Sequence, residues 1–146
     1  MSEHQHLVYL SLGTNLGHRE ENIQSALQQL SLRVGTLERV SSVIETKPWG
    51  FQSENNFLNA CCRIRTALSP MQLLQATQEI ERSIGRTEKS KNGVYHDRLI
   101  DIDILYYDHL KLDTPELTIP HPHIKERDFV MVPLKEIIGN DNVLDF

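Results

Sequence analysis

The order of hydrophobic periodicities constrains this chain more than any other feature. Two stretches carry apolar residues at helical spacing: Ile23, Ala26, Leu27 and Leu30 in the first, and Leu73, Leu74, Thr77, Ile80 and Ile84 in the second. Steps of three and four residues gather each set on one face of a helix. Around them run segments that read as strands: Leu7 to Leu12, a loosely alternating run from Leu37 to Thr46, Phe57 to Thr66, and Leu99 to Tyr107. Strand, helix, strand, strand, helix, strand is the order of a split βαβ unit. The expected fold is therefore α+β, an antiparallel sheet with both helices packed on one face.

Local signals mark the joints. Gly13-Thr14-Asn15-Leu16-Gly17 reads as a strand-to-helix turn with Asn15 tied to backbone. A helix of about 15 residues follows from near His18, with Glu20 and Glu21 in its first turn, where the helix dipole favours negative charge. Lys47-Pro48-Trp49-Gly50 ends the second strand. Ser69-Pro70 starts the second helix as N-cap and first helical residue, and Gly85 stops it. Two short extended pieces, Leu110 to Leu112 and Leu117 to Ile119, precede a Pro/His-rich turn and a short final helix from Pro133 to Ile138. No linker or repeat divides the 146 residues, so residues 1–146 are expected to form a single domain.

Composition narrows the function classes. A net charge of −5 argues against sequence-independent binding to nucleic acid or to an anionic membrane. No apolar run approaches the ~18 residues of a membrane span, and the N-terminus lacks the pattern of a secretory signal. Adjacent Cys61 and Cys62 cannot build a disulfide framework, and they read as buried thiols. The expectation is a cytoplasmic protein.

Asp101-Ile102-Asp103 is the sharpest chemical feature. Alternate residues of a strand share a face, with Cα atoms roughly 6.5–7 Å apart. Both carboxylates then project together while Ile100, Ile102 and Ile104 face the core. Two like charges on one face call for a neutralising partner. Magnesium on a polyphosphate would serve, since Mg²⁺ takes one or two carboxylates and fills its shell with phosphate and water. Alone, the pair reads first as a solvated strand face. The neighbouring segment, residues 85–98, adds Arg86, Lys89, Lys91 and Arg98 against Glu88 and Asp97. Such a cationic loop suits phosphate oxygens. Its polarity and the Asn92-Gly93 turn predict a segment that closes when a nucleotide arrives. His121, Lys125 and Arg127 add donors farther on. His121 and His123 form a His-x-His pair, but no third and fourth zinc ligands stand at structural-site spacing. Trp49 offers a stacking surface for a flat heteroaromatic ring, which Asn59 could hydrogen-bond.

Taken in order, these stretches resemble the 6-hydroxymethyl-7,8-dihydropterin pyrophosphokinases of folate biosynthesis. The resemblance covers nearly the whole chain: Gly13 to Gly17, Thr46 to Gly50, Phe57 to Ala60, Gln78-x-x-Glu81, Gly85-Arg86, Arg98-x-x-Asp101-Ile102-Asp103, Pro120-His121 and Arg127-x-Phe129. It implies a ferredoxin-like fold and transfer of the β,γ-pyrophosphoryl group of ATP to the pterin hydroxymethyl oxygen, releasing AMP. It further implies that Asp101 and Asp103 bind two Mg²⁺ ions, joined by Arg98 and Arg86 in catalysis. Gln78, Glu81, Arg86, Tyr95, Arg98, Ile104, His121 and Arg127 would contact ATP. Thr46, Pro48, Trp49, Phe57, Asn59 and Phe129 would form the pterin pocket, with Phe57 and Phe129 stacking on the ring. The chain departs from the family pattern at Tyr95-His96-Asp97, where a Trp and a Gly-Pro are usual, at Glu88 in place of a second loop arginine, and at Pro122 in place of a Tyr. The expected partners are small molecules, with no nucleic acid, no membrane, and a monomeric state.

Two rival readings stay open on sequence. One is a non-catalytic ferredoxin-like module binding RNA or a regulatory ligand, against which the acidic balance and the lack of an aromatic RNP-like strand both stand. The other is a nucleotidyltransferase using the same acidic pair, which would release pyrophosphate rather than AMP.

Overall fold

The computed structural model describes residues 5–47, 55–85, 99–141 and 143. Among these, β1 (His6–Thr14), α1 (Arg19–Arg33), β2 (Gly35–Val40), β3 (Ile44–Thr46), β4 (Phe57–Thr66), α2 (Pro70–Ile84) and β5 (Asp101–Tyr107) follow the expected order. Two short strands, β6 (Leu112–Asp113) and β7 (Thr118–Ile119), a 3₁₀ turn at Ile124–Glu126 and helix α3 (Asp128–Ile138) complete the described chain. The main sheet runs β2-β4-β1-β5, with β3 also pairing β4, and every pairing is antiparallel.

Alternation along the strands splits the interior in two. Val8, Leu10 and Leu12 of β1, Cys62 and Ile64 of β4, and Ile102 and Ile104 of β5 pack against Ile23, Ala26, Leu27 and Leu30 of α1 and Leu73 and Ile80 of α2. The opposite face buries Tyr9, Cys61, Leu105 and Tyr106 under Ile124 and α3, through Val130, Leu134, Ile137 and Ile138. Both cysteines are buried and unpaired. Burial pushes the Cys62 thiol up to about 12. A register shift at Tyr9/Leu10 lets Leu105 and Tyr106, though consecutive, both serve the α3 side. That is the work of a β-bulge.

Local signals act as read. Ser69 and Gln72 form a reciprocal capping box, with Gln72 N–H to Ser69 Oγ at 3.2 Å and Ser69 N–H to Gln72 Oε1 at 2.9 Å. Gly85 sits at φ +126°, and a Cβ there would come within 2.7 Å of Leu99. Three boundaries differ from expectation. The first strand continues through Gly13 and Thr14, so Gly13 belongs to the sheet and not to the turn. The run from Leu37 to Thr46 breaks at Ser41, whose Oγ takes the Cys61 N–H at 2.8 Å and whose N–H reaches the Cys61 carbonyl at 2.9 Å. The side chain replaces a ladder bond and turns the strand. Finally, α3 starts at Asp128, five residues before the expected Pro133. Pro133 lacks the helical N–H, yet burial of Val130, Pro133, Leu134, Ile137 and Ile138 along one stripe holds the helix through it.

Candidate active site

The face that carries α3 is only half covered by it. The half toward β5 and the start of α3 is built from rows of residues directly opposed across three strands. One row runs Asn59 (β4), Gly13 (β1), Asp101 (β5); the next runs Cys61, Ser11, Asp103. Directly opposed residues share a face, so Asn59 and the acidic pair look out together. Asp103 raises the already buried Cys61 thiol still further, as two groups in one row would. Strands lie about 4.8 Å apart, which separates Asn59 from Asp101 by roughly 10 Å with only a glycine between. A Cβ on Gly13 would come within 3.2 Å of Asn59 Oδ1 and 3.6 Å of Phe57 Cδ1. Gly13 has no positive φ. Its lack of a side chain, rather than its backbone freedom, keeps this crevice open.

On the β4 side, Asn59 is 4% exposed and donates Nδ2 to Thr46 Oγ1 at 2.7 Å. The break at Ser41 and the pairing Thr46↔Phe57 bring Thr46 there. The connection below is pinned by α1 and its approach. Asn15 Nδ2 reaches the Asn55 carbonyl at 3.1 Å, and Arg19 Nη1 reaches the Asn56 carbonyl at 2.9 Å. Asn15 does bind backbone, though across the molecule and not within its own turn. Asn22 holds that turn instead, through Thr14 Oγ1 and the Leu16 carbonyl.

On the β5 side, Asp101 and Asp103 are half-buried, and Ile102 and Ile104 point into the core as expected. Arg127, the N-cap of α3, is 5% exposed and brings Nη1 to 3.8 Å from Asp103 Oδ2. Its guanidinium lies 5.6 Å from the Phe129 ring centroid, within cation–π range. Among the described residues β5 is the edge of the sheet. Glu81, 4% exposed on α2, takes the outward Ile102 N–H at 2.8 Å. The two-residue period turns the Ile104 backbone to the same edge. The Ile104 side chain is a core group, so what this residue offers a ligand is backbone. Gln78 is half-buried on the same helix, one turn before Glu81.

His121 follows along that edge, its N–H on the Leu105 carbonyl at 3.0 Å. The His123 N–H donates to His121 Nδ1 at 3.2 Å. An accepting Nδ1 puts the proton of the neutral ring on Nε2. Burial first, then the nearby Arg127 and His123, lowers the His121 pKa to about 4 against the pull of Asp101. The imidazole is neutral at pH 7 and presents one N–H donor.

The structure thus groups Thr46, Phe57 and Asn59 on one side of Gly13, and Asp101, Asp103, Arg127 and His121 on the other, with Phe129 beside Arg127 at the start of α3. Gln78, Glu81 and Ile104 lie along the β5 edge. Pro48, Trp49, Arg86, Tyr95, Arg98 and the loop 86–98 lie outside the described residues. Sequence reading missed Gly13 as a wall of the site, although a glycine within a strand signals close approach. Among the described residues no three of His, Cys, Asp and Glu gather around one point. A cation here would have two protein carboxylates and would fill its shell from phosphate and water. That donor set fits Mg²⁺.

A carboxylate pair beside a buried arginine, on a sheet backed by paired helices, is chemically able to take a metal-bound phosphate. The chain belongs to the 7,8-dihydro-6-hydroxymethylpterin-pyrophosphokinase family, whose model matches residues 9–139. It is 52% identical over 132 residues to the 2-amino-4-hydroxy-6-hydroxymethyldihydropteridine pyrophosphokinase of Porphyromonas gingivalis, covering 90% of each chain. To the enzyme of the same name from Aquifex aeolicus it is 41% identical, over 91% of this chain and 81% of that one. In three dimensions it matches the wild-type HPPK-DHPS of Plasmodium falciparum with a TM-score of 0.70 at 14% identity, over 92% of this chain and 41% of that one. The present chain spans about two-fifths of that longer protein. The match at this identity establishes the ferredoxin-like fold.

Proposed function

We propose that this chain transfers the β,γ-pyrophosphoryl group of ATP to the hydroxymethyl oxygen of 6-hydroxymethyl-7,8-dihydropterin, releasing AMP, as a step of folate biosynthesis. Family membership supports the reaction. The observation that carries the assignment of residues is the row Asn59–Gly13–Asp101. It sets an amide-and-aromatic pocket and an acidic pair on one sheet face, with a side-chain-free gap between them.

The pterin enters on the Asn59 side. Asn59 spends one Nδ2 hydrogen on Thr46 and offers its other N–H and its Oδ1 to the ring edge. Phe57 and Phe129 cover the two ring faces, and Pro48 and Trp49 complete the pocket. ATP enters on the β5 side, its base along the strand edge near Gln78, Glu81 and Ile104, with Tyr95 a further contact that the family pattern implies. Its phosphates meet His121, Arg127, Arg86 and Arg98. Glu81 already closes the Ile102 N–H, so it forms a fixed wall. Asp101 and Asp103 would hold two Mg²⁺ ions, which when bound neutralise phosphate charge and keep the attacking and leaving oxygens in line.

Little acid–base chemistry is needed, because phosphoryl-type transfer passes through a loose transition state governed by position and charge. His121 donates from Nε2 while neutral, so it binds a phosphate oxygen without competing for a proton. Arg127, held beside Asp103, supplies fixed positive charge where negative charge accumulates.

The catalytic unit is the chain as one domain, acting as a monomer on small molecules in the cytoplasm. Among the described residues no helix is long and apolar enough to cross a membrane. The direct test mixes protein, ATP, Mg²⁺ and the reduced hydroxymethylpterin. AMP formed in step with pterin pyrophosphate is expected. Release of free pyrophosphate would make the protein a nucleotidyltransferase instead.

A further inference from the structure

Helix α3 meets the site only at its first turn, through Arg127 and Phe129. Its other end is bound to the sheet by a cluster of charged groups. Asp141 Oδ2 receives Arg63 Nη1 from β4 at 2.7 Å, Arg39 Nη1 from β2 at 3.2 Å, and the hydroxyl of Tyr9 from β1. The same Arg39 nitrogen donates to the Ile137 carbonyl at 2.7 Å, in the last turn of α3. Asp141 itself donates its N–H to the Ile138 carbonyl at 2.9 Å. Arg63 is held from its other side by Glu38, whose Oε1 lies 3.1 Å from Nε. One carboxylate oxygen therefore gathers donors from three neighbouring strands and fixes the end of the helix against them.

The contacts persist over a wide pH range. Burial, then the bond to Asp141, pushes the Tyr9 hydroxyl up to about 12. Burial alone would raise the Asp141 carboxyl, but the Tyr9 and Arg63 bonds and the Arg63 and Arg39 charges outweigh it and hold it below its ordinary value.

We propose that Asp141 is a positioning residue for pyrophosphoryl transfer, acting through α3: by fixing the helix's C-terminal end to β1, β2 and β4, it sets the direction in which Arg127 and Phe129 face the acidic pair. The inference rests on the function assigned above. It follows from the shape of the helix. Eleven residues make a rod about 16 Å long, seated on the sheet along one apolar stripe through Val130, Leu134, Ile137 and Ile138. Apolar packing of this kind is non-directional and lets a rod tilt, whereas hydrogen-bonded charges at one end fix its angle. A tilt at Asp141 is carried along the rod to Arg127, and a misplacement of about 1 Å can cost ~100-fold in rate. Asp141 lies just beyond the family-matched span, which ends at residue 139. The other members of the cluster, Tyr9, Glu38, Arg39 and Arg63, lie inside that span.

The test compares Asp141→Ala, Asp141→Asn, Asp141→Glu and Arg63→Gln. It measures kcat and both KM values per folded molecule, well below each variant's melting temperature. Asp141→Ala is expected to lower kcat about tenfold or more, Asp141→Asn and Arg63→Gln to lower it in the same direction, and Asp141→Glu to restore most of it. A merely structural anchor would lower the melting temperature and the folded fraction but leave kcat and KM per folded molecule as in the wild type, and that result overturns the proposal. If Asp141→Ala does not fold, unchanged kcat in both Asp141→Asn and Arg63→Gln overturns it equally. A wild type that forms no AMP would sink the assigned function, whereas an active wild type with unaltered variants sinks only the role of Asp141.

Discussion

Gly13→Ala separates folding from function more cleanly than any change to a charged residue. Gly13 lies inside β1 with no positive φ, so alanine meets no backbone penalty. In a strand, alanine gains about 0.5–1 kcal/mol over glycine from the lower entropy of the unfolded chain. Against this stands one tight approach, the new Cβ at 3.2 Å from Asn59 Oδ1. That contact is relieved if the amide moves by a few tenths of an ångström. Net stability should change by less than about 1 kcal/mol, a melting shift of roughly 2–4 °C for a chain of this size. The site fares differently. The methyl stands in the gap between Asn59 and Asp101, and the displaced amide is also the one that hydrogen-bonds Thr46. Misplacement on this scale predicts a loss of ~10–100-fold in kcat/KM for the pterin. Binding of Mg·ATP should be little altered, because the methyl points away from the β5 edge. AMP formation read by chromatography gives the first quantity, and titration calorimetry with a non-hydrolysable ATP analogue gives the second. An alanine variant that keeps wild-type kcat/KM for the pterin would refute the claim that the missing side chain holds the crevice open.

The other predictions concern single side chains. Asp101→Asn or Asp103→Asn should abolish turnover while pterin binding, followed by fluorescence titration, survives; near-normal turnover at saturating Mg²⁺ would remove both from the reaction. Asn59→Ala should raise the pterin KM well beyond any effect on the ATP KM, which steady-state kinetics with each substrate varied in turn would show. Glu81→Ala leaves the buried Ile102 N–H without its carboxylate acceptor, so stability should fall by about 1–3 kcal/mol in urea unfolding. For His121 the sign follows from its lowered pKa. The unfolded ring takes a proton near pH 6.5 and the folded ring only near pH 4, so the fold gains stability from neutral His121 that is full above about 6.5 and lost as pH falls toward 4. The loss is at most about 3 kcal/mol, and the melting temperature of His121→Gln should be correspondingly less sensitive to acid across that window.

Much of the frame was legible because local and global signals agreed. The helical stripes ended up under the sheet, the capping box at Ser69 started α2, and the alternation through β5 separated the aspartates from Ile102 and Ile104. What escaped had no local signature. The break at Ser41 depends on Cys61, twenty residues away, and no periodicity in Leu37 to Thr46 announces it. The early start of α3 overrides the usual reading of Pro133, because apolar burial across the sheet outweighs one missing hydrogen bond. Gly13 looked like turn chemistry because glycine and asparagine crowd residues 13–17, and only the pairing register shows that it separates Asn59 from Asp101.

The bulge in β5 connects these points. A strand of strict alternation starting with Asp101 and Asp103 on one face would put Leu105 and then Tyr107 on that face, and Tyr106 on the other. The register shift brings Leu105 and Tyr106 together to the α3 side and returns Tyr107 to the other core. One sheet face thereby acquires a polar half at Asp101 and Asp103 and a broad apolar half at Leu105 and Tyr106. Only the apolar half can retain a helix. With α3 lying mainly over β4 and sharing a core with Leu105 and Tyr106, its first turn falls where Arg127 is buried and yet close to Asp103. A buried arginine is costly without a partner anion, and a pair of carboxylates is costly without cations. Placing the two side by side lets each offset part of the other's cost before any substrate binds. Under the proposed function, the remaining charge of Asp101 and Asp103 would meet a cation-bearing nucleotide.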